Sequence, residues 1–440
     1  MTEERPASVP PGAPQAGETS SATRHAKPWV WTERMLAALA NGVKGGKWFR
    51  LIDKVFSRRN LDRAFEQVAR NDGAAGADHV TVDAFELHLE ENLRTLHEDL
   101  RSDAYRPQEI RRTRIPKPGT GETRPLGIPT VRDRVVQTAL VHVIEPIFER
   151  DFAEHSYGFR PGRSCKDALR RVAELLKSGH HYVVDADLKS YFDTIPHGPL
   201  LDRLREKIAD GRALSLIQSF LEADVLEGLA AWTPEEGAPQ GAVLSPLLSN
   251  VYLDALDHLM AEAGYEMVRY ADDFVILCRS AEEAEKALEL VREWTQANGL
   301  TLHPTKTQVV DERSGGFDFL GYHFERGWRK PRKKSVAKLR EGIRRKTRRK
   351  RGDSLEFIIQ DVNKTLRGWF EYFKHSRSWA FPRLDSWIRM RLRSLLRKRS
   401  GRRGRGRGLD HQRWPNAFFA DRGLFNLETA HAKARQPSLR

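Results

Sequence analysis

The sequence predicts an α+β fold in which helices back an antiparallel sheet, followed by a separate helical domain. Three observations predict it. Tyr182-Val-Val-Asp-Ala-Asp-Leu188 alternates, so Val184, Ala186 and Leu188 share one face of a strand and Val183, Asp185 and Asp187 the other. Glu266-Met-Val-Arg269, Tyr270-Ala-Asp-Asp273 and Phe274-Val-Ile-Leu277 read as strand, tight turn and strand, with the acids exposed at the bend. After Lys330 the chain turns basic and helical, with apolar faces at Leu366, Trp369, Phe370 and Phe373 and again at Leu384, Trp387, Ile388, Leu392 and Leu395.

The remaining elements follow in order. Residues 1–27, rich in Pro, Gly, Ser, Thr and Glu, are expected to form a disordered lead-in. Residues 31–102 read as mainly helical, broken at the Gly-rich turn Asn71-Asp-Gly-Ala-Ala-Gly76. Residues 106–137 alternate basic and apolar side chains around Pro116 and Pro129, which predicts a bent, positively charged hairpin. Ala281 to Asn298 carries a buried stripe of Ala284, Ala287, Leu288, Val291 and Trp294; Ser280 with Glu283 forms its capping box and Gly299 ends it. Phe317 to Phe324 reads as one more strand. The divisions are 28–330 for the α+β body, 331–400 for the helical domain, and 401–440 for a basic extension and tail.

Charge narrows the partner. The chain has 440 residues and a net charge of +15, and the excess is uneven: 15 basic residues face one acid, Glu341, between Arg326 and Arg351, and ten face none between Arg389 and Arg407. Such a field attracts a polyanion, nucleic acid before a membrane surface. The sequence has no apolar run of about 18 residues and no signal peptide at its start, so a cytoplasmic, membrane-free protein is expected. Cys165 and Cys278 alone give neither a disulfide framework nor a cysteine zinc site.

Adjacent carboxylates at a bend gain little unless a cation binds them. With Asp187 on its strand, Asp272 and Asp273 suggest a two-metal nucleotidyl-transfer site. That chemistry needs two divalent ions about 4 Å apart, and hard oxygen ligands suit two Mg²⁺ ions, with Mn²⁺ as a substitute. Asp187 and Asp272 are the expected bridging ligands. Asp273 supports the site or binds a metal less directly, and the carbonyl of Leu188 completes one shell. Asp185 reads equally as support for Asp187 or as a solvent-facing acid, and Asp193 as a cap for the following turn.

Phe192 is placed to cover the sugar of an incoming nucleotide and reject a 2′-hydroxyl; core packing is the competing reading. Lys117 and Arg124 flank the turn Pro118-Gly119-Thr-Gly121, placed to bind β and γ phosphates or to serve as ordinary hairpin cations. Arg112 and Arg114 fit template contact as well. Gln240, in Pro239-Gln-Gly241, fits a minor-groove contact to a base pair. Ser156-Tyr-Gly-Phe-Arg-Pro-Gly-Arg163 fits template stacking and phosphate contact. Lys306 is within plausible reach of a primer terminus or nucleotide phosphate, and reads equally as a surface lysine.

These motifs, together with Asn71–Asp78, Ile115-Pro-Lys-Pro118, Arg124–Pro129, Asp187–Asp193, Ser245-Pro246, Arg269–Phe274, Phe319-Leu-Gly321 and Arg367-Gly-Trp369, stand in an order that closely resembles the bacterial group II intron-encoded reverse transcriptase and maturase family over about residues 45–400. The resemblance implies a right-hand polymerase fold, with fingers and palm to about 330 and a helical thumb, or maturase, domain after it. It implies RNA-directed DNA synthesis from a primer 3′-hydroxyl with deoxynucleoside triphosphates, a structured intron RNA as partner and template, a DNA target or primer, and assistance to splicing and retrohoming. A homodimer is compatible with it. Catalytic aspartates fall on Asp187, Asp272 and Asp273, the sugar-gating aromatic on Phe192, and nucleotide-binding cations on Lys117 and Arg124. Nothing after Ser400 supplies the paired cysteines of an HNH endonuclease, so the chain is similar to members without one.

Two other functions remain open on sequence: a domesticated or defence-associated reverse transcriptase with another RNA partner, and a non-catalytic RNA chaperone. A flanking intron would favour the first reading, and a neighbouring nucleic-acid-targeting operon the defence role. The joint presence of the acids and phosphate-binding cations argues against the chaperone.

Overall fold

The computed structural model describes residues 25–435 apart from 44, 117–122 and 407. The expected lead-in therefore lies outside the described residues through residue 24, as do Lys117 and the turn after it. By Val30 and Trp31 the chain is already buried, and the Trp31 indole donates to the His142 carbonyl at 3.1 Å.

Helices Glu33–Asn41, Arg58–Asn71 and Leu89–Arg101 form the expected helical start. Strands β1 (Ile110–Pro116) and β2 (Thr123–Ile128) then pair antiparallel. The predicted hairpin ran to 137, but it ends at Ile128. Thr130 caps a new helix, Val131–Glu149, by accepting from the Asp133 N–H at 3.2 Å. This helix is buried on nearly every side, and its cations are spent inside the protein: Arg132 pairs with Asp99 at 2.6 Å and Arg134 donates to the Ala74 carbonyl at 2.9 Å. Charges used for packing had read as a basic surface.

The central sheet joins β3 (Tyr182–Asp187), β6 (Glu266–Tyr270), β7 (Asp273–Cys278) and β8 (Gln308–Asp311) in the order β6-β7-β3-β8, all antiparallel. Between β3 and β6 lie β4 (Val225–Glu227) and β5 (Ala230–Trp232), which extend the first hairpin into a second sheet, β2-β1-β4-β5. The alternation of β3 sorts its side chains as expected. Val184, Ala186 and Leu188 enter the main core with Tyr252 and Leu256 of helix Ser245–Glu262. Val183 enters a second core with Val268, Val275, Leu277 and residues of helix Cys165–Lys177. Each fully buried aliphatic side chain here stabilises the sheet by roughly 1.5–3 kcal/mol.

Phe317 to Phe324 is two strands, not one. β9 (Phe317–Phe319) and β10 (Tyr322–Glu325) are joined by a two-residue turn in which Leu320 and Gly321 have φ of 45° and 84°. A turn with both φ positive matches the strand twist, and glycine supplies it cheaply. β11 (Trp328–Pro331) completes this third sheet. Helix Ala281–Ala297 keeps its predicted stripe and ends at Gly299, φ 68°. Its cap differs in one detail: Ser280 Oγ accepts from the Glu283 N–H at 3.1 Å, but the Glu283 carboxylate turns to the Arg279 N–H at 2.8 Å.

Helices Lys333–Lys346, Leu355–Phe373 and Pro382–Arg399 pack around Ile343, Ile358, Leu366, Phe381, Ile388 and Leu392. This core does not stop at 400, where composition had set the boundary. Trp414, Phe419 and Leu427 are buried in it, and Asp385 accepts from the N–H groups of Leu427 and Glu428 at 3.0 Å each, holding the start of helix Leu427–Arg435. Phe418, Leu424 and Phe425 pack against the same core, so the apolar residues after Trp414 belong to this domain and not to a tail. No helix among the described residues is long and apolar enough to cross a membrane.

Candidate active site

The acids gather at one end of the central sheet. Asp187 closes β3 directly opposite Asp273, the first residue of β7, and Asp272 stands in the two-residue bend before it. Directly opposed residues of an antiparallel pair have Cβ atoms about 4.5–5.5 Å apart, so the two like charges share one face. Asp185, two residues back on that face, accepts a hydrogen bond from the Gln308 side chain.

Electrostatics confirm the crowding. Burial first, then Asp318 and Asp187, raises the Asp185 carboxyl to about 6, against the Gln308 bond. Asp273 opens to the cleft on one side, yet loss of hydration, then the charges of Asp185, Asp272 and Asp187, pushes it up to about 7. Burial lifts Asp272 as well; Asp187 adds to the rise, and Arg124 and Arg269 oppose it. A bound cation would relieve this mutual elevation. One cation is already present: Lys306 Nζ lies 2.6 Å from Asp187 Oδ2. Among the described residues no three His, Cys, Asp or Glu side chains form a ready metal cage. The donors at hand are nonetheless all hard oxygens, which suits Mg²⁺.

The bend is held from beneath by groups that sequence reasoning gave no role. Arg269 is fully buried; its Nε donates to both Asp257 carboxylate oxygens at 2.8 and 2.9 Å, and its Nη1 to Asn250 Oδ1 and the Ala271 carbonyl at 2.9 Å each. Asn250 Nδ2 donates onward to the Gly158 carbonyl at 2.8 Å. Ala271 has φ 60°, an uncommon conformation for a residue with a Cβ, and the Arg269 bond helps to fix it. The available signal was Arg269 itself, a cation inside an otherwise apolar strand, which demands a buried acid.

The other expected residues divide. Phe192 lies between the rings of Tyr191 and Phe159, at 5.5 and 6.5 Å, and with Gln240 lines a cavity of about 130 Å³ beneath β1 and β2. The Gln240 carbonyl accepts from the Gly127 N–H at 2.7 Å, and Gly241, φ 109°, has no room for a Cβ against the Gly127 carbonyl. Arg124, on β2, is near enough to act on Asp272. Leu188 is buried at its side chain; its bridge to Leu302 uses the carbonyls of Asp187 and Thr301, not its own. Lys117 lies outside the described residues.

Three expectations change. Asp193 does not act as a side-chain cap; its carboxylate faces Arg112 at 3.9 Å. Arg114, 60% exposed, stands in an ion pair with Glu227 at 2.6 Å that a template phosphate would have to displace. In Ser156–Arg163, Arg160 is buried against Glu149 at 2.9 Å and Tyr157 is buried, which leaves Phe159, 49% exposed, as the ring available for stacking.

Beside the acids, a cavity of about 820 Å³ opens between Tyr270 and Asp273 on one wall and Lys338 and Arg345 of the helical domain on the other, with Trp369 at its side. Comparison with known families now applies. Residues 115–324 match the model described as Reverse transcriptase (RNA-dependent DNA polymerase), and residues 336–414 that of the Group II intron, maturase-specific domain. Protein YkfC of Escherichia coli (strain K12) is 34% identical over 292 residues, covering 57% of this chain and 76% of YkfC.

The chain belongs to the group II intron reverse transcriptase and maturase family.

The group II intron-encoded protein LtrA of Lactococcus lactis subsp. cremoris is 38% identical over 221 residues, 48% of this chain but 36% of LtrA, so the chain spans about a third of that relative. A chain of a partial Cas6-RT-Cas1–Cas2 complex overlaps 56% of this chain and 41% of its own at 25% identity, with a TM-score of 0.36. The four antiparallel strands β6-β7-β3-β8 lie within the reverse-transcriptase match, and the helices from 336 to 414 within the maturase-specific match.

Proposed function

We propose that the chain extends a primer 3′-hydroxyl with deoxynucleotides on an RNA template at Asp187, Asp272 and Asp273, and binds an intron RNA whose splicing and retrohoming it assists. The observation that carries this reading is the register of Asp187 against Asp273 with Asp272 at the bend beside them. Asp185, Asp272 and Asp273 are each raised, by burial first and then by neighbouring carboxylates, and a site that binds cations is what this cluster fits.

Asp187 and Asp272 would hold Mg²⁺, with Asp273 and the Leu188 carbonyl as further donors. When bound, such ions activate the 3′-hydroxyl and carry the triphosphate. Lys306, paired with Asp187 in this structure, would be free to reach the primer terminus or a nucleotide phosphate once that carboxylate is otherwise neutralised. Arg124, with Lys117, orients the β and γ phosphates. Phe192 closes the sugar pocket against a 2′-hydroxyl, and Gln240 meets the minor-groove edge of the new base pair. The cavity beside Asp273 takes the growing duplex, with Lys338 and Arg345 on its backbone.

Primer extension on an RNA template with Mg²⁺ tests the reading. Asp272→Asn should abolish synthesis while RNA binding persists. Undiminished synthesis would reject the site.

A further inference from the structure

At the far end of helix Cys165–Lys177 lies a second cavity, of about 700 Å³, which no step of copying uses. Cys165 lines the cleft beside Asp273, and Lys177 lines this one. Twelve residues of helix separate them by ~18 Å. The walls come from four parts of the chain: the end of that helix, β10 and β11, the loop after helix Leu355–Phe373, and helix Leu427–Arg435.

Its lining carries Lys177, Arg329, Lys374, Arg377 and Arg435, and no carboxylate. Lys374 is paired with Glu371 at 2.7 Å. Lys177, Arg329, Arg377 and Arg435 have no acidic partner among the described residues; Arg329 instead donates to the Leu169 carbonyl at 3.1 Å. Like charges from four segments repel one another, and the fold still holds them together. The Arg377 N–H donates to the Arg329 carbonyl at 3.1 Å, and a His431 ring nitrogen lies 3.0 Å from the Ser376 carbonyl. His375 reports the resulting field: burial first, then Arg329, Lys374 and Lys166, holds its imidazole below the usual range.

We propose that this cavity is an RNA-docking site, in which backbone phosphates of a folded RNA seat against Lys177, Arg329, Arg377 and Arg435, outside the copying cleft. The proposal rests on the RNA-binding reading above and adds to it a contact that remains engaged whatever occupies the cleft. Charge complementarity selects the occupant. The cavity presents cations without acids, as phosphodiester oxygens require, so the contact argued for is to the backbone.

The test uses the full chain, a labelled hairpin RNA, and no nucleotide or divalent ion, so it reads binding apart from catalysis. Combining Lys177→Gln, Arg377→Gln and Arg435→Gln should weaken RNA binding about tenfold and flatten the slope of log Kd against log salt by about three. Primer extension by the same variant on a short template should stay within about twofold of the parent. The pair Lys177→Arg with Arg377→Lys, which keeps charge, should bind normally and separates lost charge from lost packing. An unchanged slope in the Gln variant overturns the proposal. So does a slope that falls equally in the charge-keeping pair. If inorganic tripolyphosphate binds the parent and not the Gln variant while RNA binding is unaffected, the site serves a small anion and RNA docking is rejected. Failure of the parent to copy RNA would sink the polymerase reading and leave this one standing.

Discussion

Gly158 and Ala271 touch backbone to backbone: a Cβ added at Gly158 would run into the Ala271 nitrogen and lie 2.7 Å from the Tyr270 carbonyl carbon. The contact seats the loop Ser156–Arg163 under the bend that carries Asp272. Backbone cannot yield as a flexible side chain does, so Gly158→Ala should push the bend away from Asp187. A displacement of about 1 Å at reacting groups costs on the order of 100-fold in rate. Primer-extension kcat should fall by that order, while circular dichroism stays native. An unaltered kcat would show that the bend is set elsewhere.

Arg269 and Asp257 make the second support. Removing one partner of a buried pair leaves an uncompensated charge and costs about 3–5 kcal/mol. Asp257→Asn and Arg269→Met should each destabilise the chain on that scale in urea melts. Replacing the pair together with Arg269→Met and Asp257→Leu should recover much of the stability but not the activity, because the Ala271 carbonyl still lacks its donor.

Phe192→Ala should admit ribonucleotides. The ring lies between Tyr191 and Phe159 at the edge of the cavity shared with Gln240. Selection by shape on this scale is worth about 10- to 200-fold. The ratio of kcat/KM for a deoxynucleotide and its ribonucleotide should fall within that range. An unchanged ratio would leave Phe192 a packing residue.

How far the sequence led depends on the range of the interaction. The alternation of Val184, Ala186 and Leu188 is local, and the central strand and its two faces emerged as read. The hairpin around Ala271 was legible for the same reason. The Arg269, Asp257, Asn250 and Gly158 network was not, since it joins residues 12 to 92 positions apart whose types are unremarkable singly. Arg160 was read as part of a phosphate-contacting loop because charge patterning cannot tell a solvated arginine from one paired in the interior. The packing of Trp414, Phe419 and Leu427 was missed because the basic run before them was taken as the end of the domain, and the split of Phe317–Phe324 turned on φ at Leu320 and Gly321, where alternation alone favoured a single strand.

Glu145 gives the pH prediction. Burial, reinforced by Glu149 and opposed by Lys27, raises its carboxyl from an ordinary 4.5 to about 7. Between those values the folded chain holds a proton that the unfolded chain has released. Stability from this group therefore falls as pH rises from 4.5 to about 7, and remains at its lower level above. Glu145→Gln should remove that slope and stabilise the protein by about 3 kcal/mol at high pH, with little change at pH below 4.5. Thermal melts across the range decide it; a variant with the parent's pH slope would mean that Glu145 is hydrated in the folded state.

The two basic runs, separate in sequence, meet in the helical domain. Arg391 donates to the Thr347 carbonyl at 2.9 Å, and Arg399 to the carbonyls of Arg351 and Asp353. Burial and then the charges of Arg349 and Arg344 hold the Arg391 guanidinium below its usual range, so the runs share one field. Replacing Arg348, Arg349 and Lys350 with Gln should flatten the salt dependence of RNA binding by about three, and replacing Lys398, Arg402 and Arg403 should do the same. If both runs line one strand of phosphates, the six changes together should add to about six on a hairpin RNA. A slope unmoved by the first set would show that the run at 344–351 faces solvent alone, and a larger effect on duplex DNA than on RNA would reassign the surface to the DNA target.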